Sequence, residues 1–188
     1  MIFLSIINII METTRNKLTD DEYMFFKKLS GYLETQIYFY GSVQRPDYFP
    51  GRSDIDIDIF TDNETATLAK LQHHLHIPKD KFKSFVGKLN NNRVVKGTKV
   101  MYKSQDDVFS AEISIYNDKY KDIVLYEHQS KSSLPFYITF CLVILKFLYY
   151  DLQILPIEYY SYVKKWLLHN GIQLTNSDFL VLGKKYSK

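Results

Sequence analysis

Apolar residues at helical spacing open the readable part of the chain. Tyr23, Phe26, Leu29 and Leu33 predict a helix over residues 20–34, with Thr19-Asp20 at its N-cap and Gly31 late within it. "QIYFY", residues 36–40, reads as a buried strand ending at Gly41. Residues 54–60 alternate strictly. Strand side chains point to opposite faces in turn, so Asp54, Asp56 and Asp58 share one face and Ile55, Ile57 and Ile59 the other. Thr61 and Glu64 have the spacing of a capping box, and "ETATLAKLQHHL" after them reads as a helix in a region closed by Pro78.

Residues 82–116 have β character. "RVVKGTKVMYK" centres on Gly97, and "VFSAEISIY" puts Ala111, Ile113 and Ile115 on one face with Glu112, Ser114 and Tyr116 on the other. The pattern then changes. Residues 134–150 are an apolar run of helix length containing one charge, Lys146, and the region stops at Pro156. Its length is marginal for a bilayer and the lysine lies well inside, so it reads as a buried helix. "IEYYSYVKKWLLHNG" follows, with Tyr159, Tyr162, Val163, Trp166 and Leu167 at helical spacing and Gly171 at the C-cap. The expected class is α+β: a small mixed or antiparallel sheet with flanking helices, then a small C-terminal helical unit. The expected division is an N-terminal segment over 1–19, an α+β domain over 20–128 and the helical unit over 129–188.

Composition narrows this moderately. The chain has 188 residues, 46% of them hydrophobic, enough to bury one real core. A net charge of +3 permits a phosphate-bearing partner without demanding one. The single cysteine, Cys141, excludes an intramolecular disulfide and a cysteine-cluster zinc site. Within its apolar run it reads as a buried, inert thiol, and the chain as intracellular, cytoplasmic and not membrane-bound. "MIFLSIINII", residues 1–10, is too short to span a bilayer and lacks a basic segment and a cleavage site. It is expected to be dispensable, with Met11 an equally good start.

The alternating aspartates raise the chemical question, because like charges stacked on one face need bulk water or bound cations to offset them. An apolar strand ending in Gly41-Ser42, an excursion over 43–53, then Ser53-Asp54-Ile55-Asp56 in a strand resembles the nucleotidyltransferase superfamily, the DNA polymerase beta-like fold. The pattern is most similar to its template-independent members. A third carboxylate on a later strand completes that signature, and Glu112 in "AEISIY" stands in that setting.

The resemblance implies two Mg²⁺ ions, with Mn²⁺ as a substitute, held by Asp54, Asp56 and Glu112 as catalytic residues. It implies an NTP whose phosphates lie against Gly41 and Ser42, and it puts Lys146 on the triphosphate. The implied reaction moves a nucleoside monophosphate onto an acceptor hydroxyl and releases pyrophosphate. The acceptor is open: a nucleic-acid 3′ end, a protein hydroxyl, or a small molecule. Two other readings stand beside it, a catalytically silent module that binds a nucleotide or a protein, and a toxin–antitoxin-type enzyme that modifies a protein.

The residue types fit that chemistry independently. Paired carboxylates hold hard cations, and a glycine lets phosphate approach the backbone. Asp58 continues the alternation and reads as a support or surface residue. Arg45 and Arg52 read as solvated loop residues, and Lys96 and Lys99 as lysines flanking Gly97 near the sheet. His73, His74 and His76 read as surface histidines, with no carboxylate at ligand spacing.

Overall fold

The computed structural model describes residues 13–89, 92–104, 108–172 and 180–181, so the expectation for residues 1–10 lies outside the described residues. In chain order the elements are α1 (Asp20–Leu33), β1 (Ile37–Tyr40), β2 (Ile55–Thr61), α2 (Glu64–Leu75), β3 (Lys83–Lys88), β4 (Val94–Lys103), β5 (Ser110–Asn117), α3 (Lys121–Lys131), α4 (Phe136–Tyr150), α5 (Ile157–Ile172) and the two-residue β6 (Leu180–Val181). The strands form one six-stranded mixed sheet in the order β1-β2-β5-β4-β3-β6. Among the described residues, β2 and β5 run parallel and the other pairs are antiparallel. The fold is α+β, as the pattern predicts.

The two sheet faces have different fates. Ile55, Ile57, Ile59, Ala111, Ile113 and Ile115 form one face and are fully buried under α1 and α2 through Phe26, Leu29, Leu33, Leu71 and Leu75. The other face is built in rows across the strands. The first row is Tyr40, Asp56, Glu112 and Met101; the second is Tyr38, Asp58, Ser114 and Lys99; the third carries Phe60, Tyr116 and Gly97, with Phe85 paired to Gly97. A carboxylate row thus grades into an aromatic row over four residues, about 13 Å of strand. Helix α3 covers the aromatic end, where Val124 joins Phe85, Leu89 and Tyr116 in a second core. Gly97 is needed there because a Cβ would lie 2.8 Å from the Phe85 ring and 2.8 Å from the Ile115 carbonyl.

Several local expectations change. Thr19 does cap α1, in a full capping box with Glu22, and the helix runs through Gly31. The cap of α2 is Asn63, whose side chain accepts from the Ala66 N–H; Thr61 is still strand. Gly171 is not a C-cap. It lies inside α5, where a Cβ would meet Ile138 of α4 at 2.8 Å, so its small size lets the two helices approach.

Helix α4 is not a buried helix either. Ile138, Leu142, Leu145 and Lys146 face inward, while Phe136, Tyr137, Phe140 and Phe147 are exposed. Cys141 shares that outer face and is exposed, correcting the buried-thiol expectation. Apolar residues nearly all round the helix conceal which face packs, and composition alone gives no stripe. Among the described residues, no single helix is long and apolar enough to cross a membrane.

Candidate active site

Strand β1 ends at Gly41, which has φ +72°, a conformation that a side chain disfavours. A Cβ there would collide with the Asp56 carboxylate, reaching its Cγ at 3.0 Å. The carboxylate of β2 therefore lies directly over the glycine backbone. Gly41 opens a short 3-10 turn, Gly41–Gln44, in which Ser42 is buried.

The excursion to Ser53 is held by buried charge. Asp47 is fully buried and accepts from Arg45 Nε at 2.8 Å, and Lys146 Nζ of α4 lies 3.1 Å from its Oδ2. The same ammonium donates to the Asp47 carbonyl at 2.5 Å and to Ser53 Oγ at 3.2 Å. Glu22 of α1 accepts from the Tyr48 hydroxyl at 3.1 Å and from the Gly51 N–H at 3.2 Å. Helices from opposite ends of the chain thus fix the segment that delivers Asp54.

Arg45 is consequently not a solvated loop residue; Arg52 is, pairing at the surface with Asp151. Lys146 is 1% exposed, so its ammonium reaches Asp47 and Ser53 rather than solvent, and it meets a phosphate only by giving up those bonds. Burial outweighs the pull of Asp47 and lowers the Lys146 pKa to about 8. The guanidinium of Arg45 and the ammonium of Lys146 in turn hold Asp47 below the usual carboxylate range against the cost of burial.

The three aspartates of β2 have three environments. Asp54 is exposed and accepts from the Ser110 hydroxyl. Asp56 is half-buried; burial, then Glu112 and Asp54, push its pKa up to about 7 against the pull of Lys164 and Arg45. Asp58 is fully buried, with its Oδ2 2.7 Å from His128 Nε2 of α3. Burial raises its pKa and His128 opposes that. The His128 ring stacks on Tyr40 with centroids 4.0 Å apart. Glu112 stands across from Asp56 in the register, but its carboxylate is held by Lys99 at 3.0 Å.

Among the described residues, no three His, Cys, Asp or Glu side chains converge on one point as they stand. The donor set still suits a hard cation, since it is all carboxylate oxygen. Asp54 and Glu112 also raise the pKa of Asp56, as crowded anions without a cation do. His73 and His74 are occupied elsewhere, since Tyr32 stacks on His74 and bonds His73 Nδ1 at 3.1 Å, and His76 is exposed.

Between the sheet face and helices α3 and α5 lies a cavity of about 500 Å³, reaching from Gly41, Asp56 and Glu112 to Phe85 and Leu168. Lys99, Lys131 and Lys165 also line it. Sequence reasoning named Lys99 but missed His128, Lys131 and Lys165. Helix α3 has no clear apolar stripe in "KDIVLYEHQSK" to announce it, and Lys165 gives only an adjacent-lysine signal.

Residues 24–131 match the model of the nucleotidyltransferase domain. No curated protein matches the sequence. Among solved structures, the Cid1 poly(U) polymerase crystal structure aligns at 15% identity and a TM-score of 0.38, over 71% of this chain and 42% of that one. A structure of the GLD-2/RNP-8 complex aligns at 14% identity and a TM-score of 0.34, over 92% of this chain and 69% of the other. The chain thus spans less than half of the Cid1 chain.

Proposed function

Because the chain belongs to the nucleotidyltransferase domain family, we propose that it moves a nucleoside monophosphate from an NTP to an acceptor hydroxyl. The observation that carries this reading is the Asp56 carboxylate lying over the Gly41 backbone, with Glu112 beside it in the same row. Gly41 and Ser42 would hold the β- and γ-phosphates through the N–H groups of the turn they open, while Asp56, which fills the space a Gly41 Cβ would take, would meet the phosphates through the cations it would hold. The acceptor oxygen attacks the α-phosphorus, the bond to the bridging oxygen breaks, and pyrophosphate leaves. Glu112, on the side opposite Gly41, takes the acceptor proton.

Asp54, Asp56 and Glu112 would hold Mg²⁺ or Mn²⁺, with Lys99 and Ser110 giving up their carboxylates. Such ions supply charge neutralisation for the triphosphate and for the leaving pyrophosphate. Lys146 orders the 45–53 segment, and its loss acts on NTP affinity through that segment.

The test is incubation of the full chain with α-labelled NTPs, Mg²⁺ or Mn²⁺, and RNA, protein and small-molecule acceptors. Pyrophosphate release that disappears in Asp54→Asn and Asp56→Asn supports transfer. A silent nucleotide-binding module is the second reading, favoured by the turning of Glu112 to Lys99 and Asp54 to Ser110. NTP binding without release under any of these conditions would select it.

A further inference from the structure

In-line displacement puts the attacking and leaving oxygens on opposite sides of the α-phosphorus. If Gly41 and Ser42 hold the leaving pyrophosphate, it lies toward β1, the edge strand of the sheet. The attacking hydroxyl must then come from across β2, over β5 and toward β4 and β3. That is where the cavity continues past Glu112.

We propose that this extension is the acceptor site, and that it takes a small molecule with a planar ring, a hydroxyl and an anionic group. The inference rests on the reading of Gly41 and Ser42 given above. The cavity, about 500 Å³, is of small-molecule size. Its inner wall is aromatic and aliphatic. Phe85 and Tyr116 meet edge to face at 5.5 Å and 87°, and Val124 and Leu168 line the cavity with them. A flat ring packs well on such a surface.

Polar groups are placed at the other end. Ser114 and Glu112 lie toward the reacting centre, Lys165 comes from α5, and Lys131 comes from α3, where it pairs with Glu127 at 2.7 Å. The depth from Glu112 to Tyr116, four residues of one strand, is about 13 Å and matches one ring-bearing unit rather than a run of polymer. The ring would lie against Leu168 with the buried Phe85 and Tyr116 beneath it as the floor, the anion would meet Lys165, joined by Lys131 once it leaves Glu127, and the hydroxyl would point back to Glu112.

Adenosine 5′-monophosphate is the probe, titrated into the full chain by calorimetry. The titrations are made with and without Mg²⁺ and a non-hydrolysable ATP analogue, with adenosine and a short oligoadenylate as parallel arms. The monophosphate should bind alone and alongside the analogue. Leu168→Trp and, deeper, Val124→Phe should each weaken it about tenfold or more while leaving the analogue within about twofold. Two filling variants guard against one failing to fold, which circular dichroism would reveal. Lys165→Ala should weaken the monophosphate but not adenosine.

Competition between monophosphate and analogue would overturn the proposal, as would filling variants that weaken the analogue instead. So would absence of monophosphate binding at millimolar concentration. Oligoadenylate binding about tenfold tighter than the monophosphate would assign the site to a polymer end. Failure of the nucleotidyl-transfer reading appears separately, as an analogue that does not bind or whose binding ignores Asp54→Ala and Asp56→Ala, and the monophosphate arm is read without it.

Discussion

Asp47→Ala should be among the most damaging single changes outside the carboxylate row. The native carboxylate is fully buried and faces two cations, Arg45 at 2.8 Å and Lys146 at 3.1 Å. Removing it leaves both buried charges without their anion, which in comparable sites costs about 3–5 kcal/mol. Lys146→Met should cost much less. It leaves Asp47 paired with Arg45 and removes an ammonium whose burial already outweighs its pairing, since its pKa falls from 10.5 to about 8. At about 1.4 kcal/mol per pKa unit, holding that charge in the folded state costs about 3 kcal/mol at neutral pH.

The sign of the pH dependence follows. Between pH 8 and 10.5 the unfolded chain binds more protons at Lys146, so this residue makes stability rise with pH across that window. Asp47, whose folded pKa is lowered, contributes stability above its unfolded value that is lost as pH falls through the folded one. Urea unfolding followed by far-ultraviolet circular dichroism, repeated from pH 3 to 10.5, measures both. The reasoning is refuted if Asp47→Ala costs under about 1 kcal/mol, or if Lys146→Met is the more damaging change.

Three further outcomes test the site. Gly41→Ala forces a side chain to φ +72° and onto Asp56; it should cost about 1–3 kcal/mol of stability in urea melts. It should also abolish pyrophosphate release in a protein that still folds, and a fully active variant would remove the Gly41–Asp56 apposition from the argument. Lys99→Met frees Glu112 from a partly exposed ion pair worth about 0.5–1 kcal/mol, so Mn²⁺ affinity measured by electron paramagnetic resonance should rise about two- to fivefold. Weaker Mn²⁺ binding would mean that Lys99 supports the ligand set. His128→Ala leaves Asp58 buried without its histidine partner. A double-mutant cycle with Asp58→Asn should return a coupling of about 0.5–3 kcal/mol, and additive losses would show that the 2.7 Å contact contributes nothing.

The sheet and its two-sidedness were legible because period-2 alternation is a backbone property that burial then exploits. Ile55, Ile57 and Ile59 could go only to a core, and they did. The N-cap at Thr19 was legible for a similar local reason, though not the box it forms with Glu22, while the capping-box spacing at Thr61 and Glu64 misled because β2 extends through Thr61 and leaves Asn63 to cap. Long-range partners gave no such signal. Nothing near Asp47 announces Lys146, which is 99 positions away, and nothing near Asp58 announces His128 on a helix whose own pattern is weak. Single-sequence periodicity reports which face a residue is on, not which residue from another element arrives there.

The alternating aspartates illustrate what that difference does to chemistry. Sequence makes Asp54, Asp56 and Asp58 equivalent members of one face, but exposure falls along the strand from Asp54 through half-buried Asp56 to fully buried Asp58. Desolvation rises with it, and each carboxylate is answered differently. Asp54 takes a hydroxyl hydrogen bond from Ser110. Asp58 takes a histidine, which fixes α3 over the sheet and, through the stacked Tyr40, supports the turn at Gly41. Asp56 lies between them, in a row with Glu112, and its pKa is pushed up to about 7 despite Lys164 and Arg45. Crowding of this kind favours a bound proton or cation at Asp56, which is what the metal-holding role proposed for it requires.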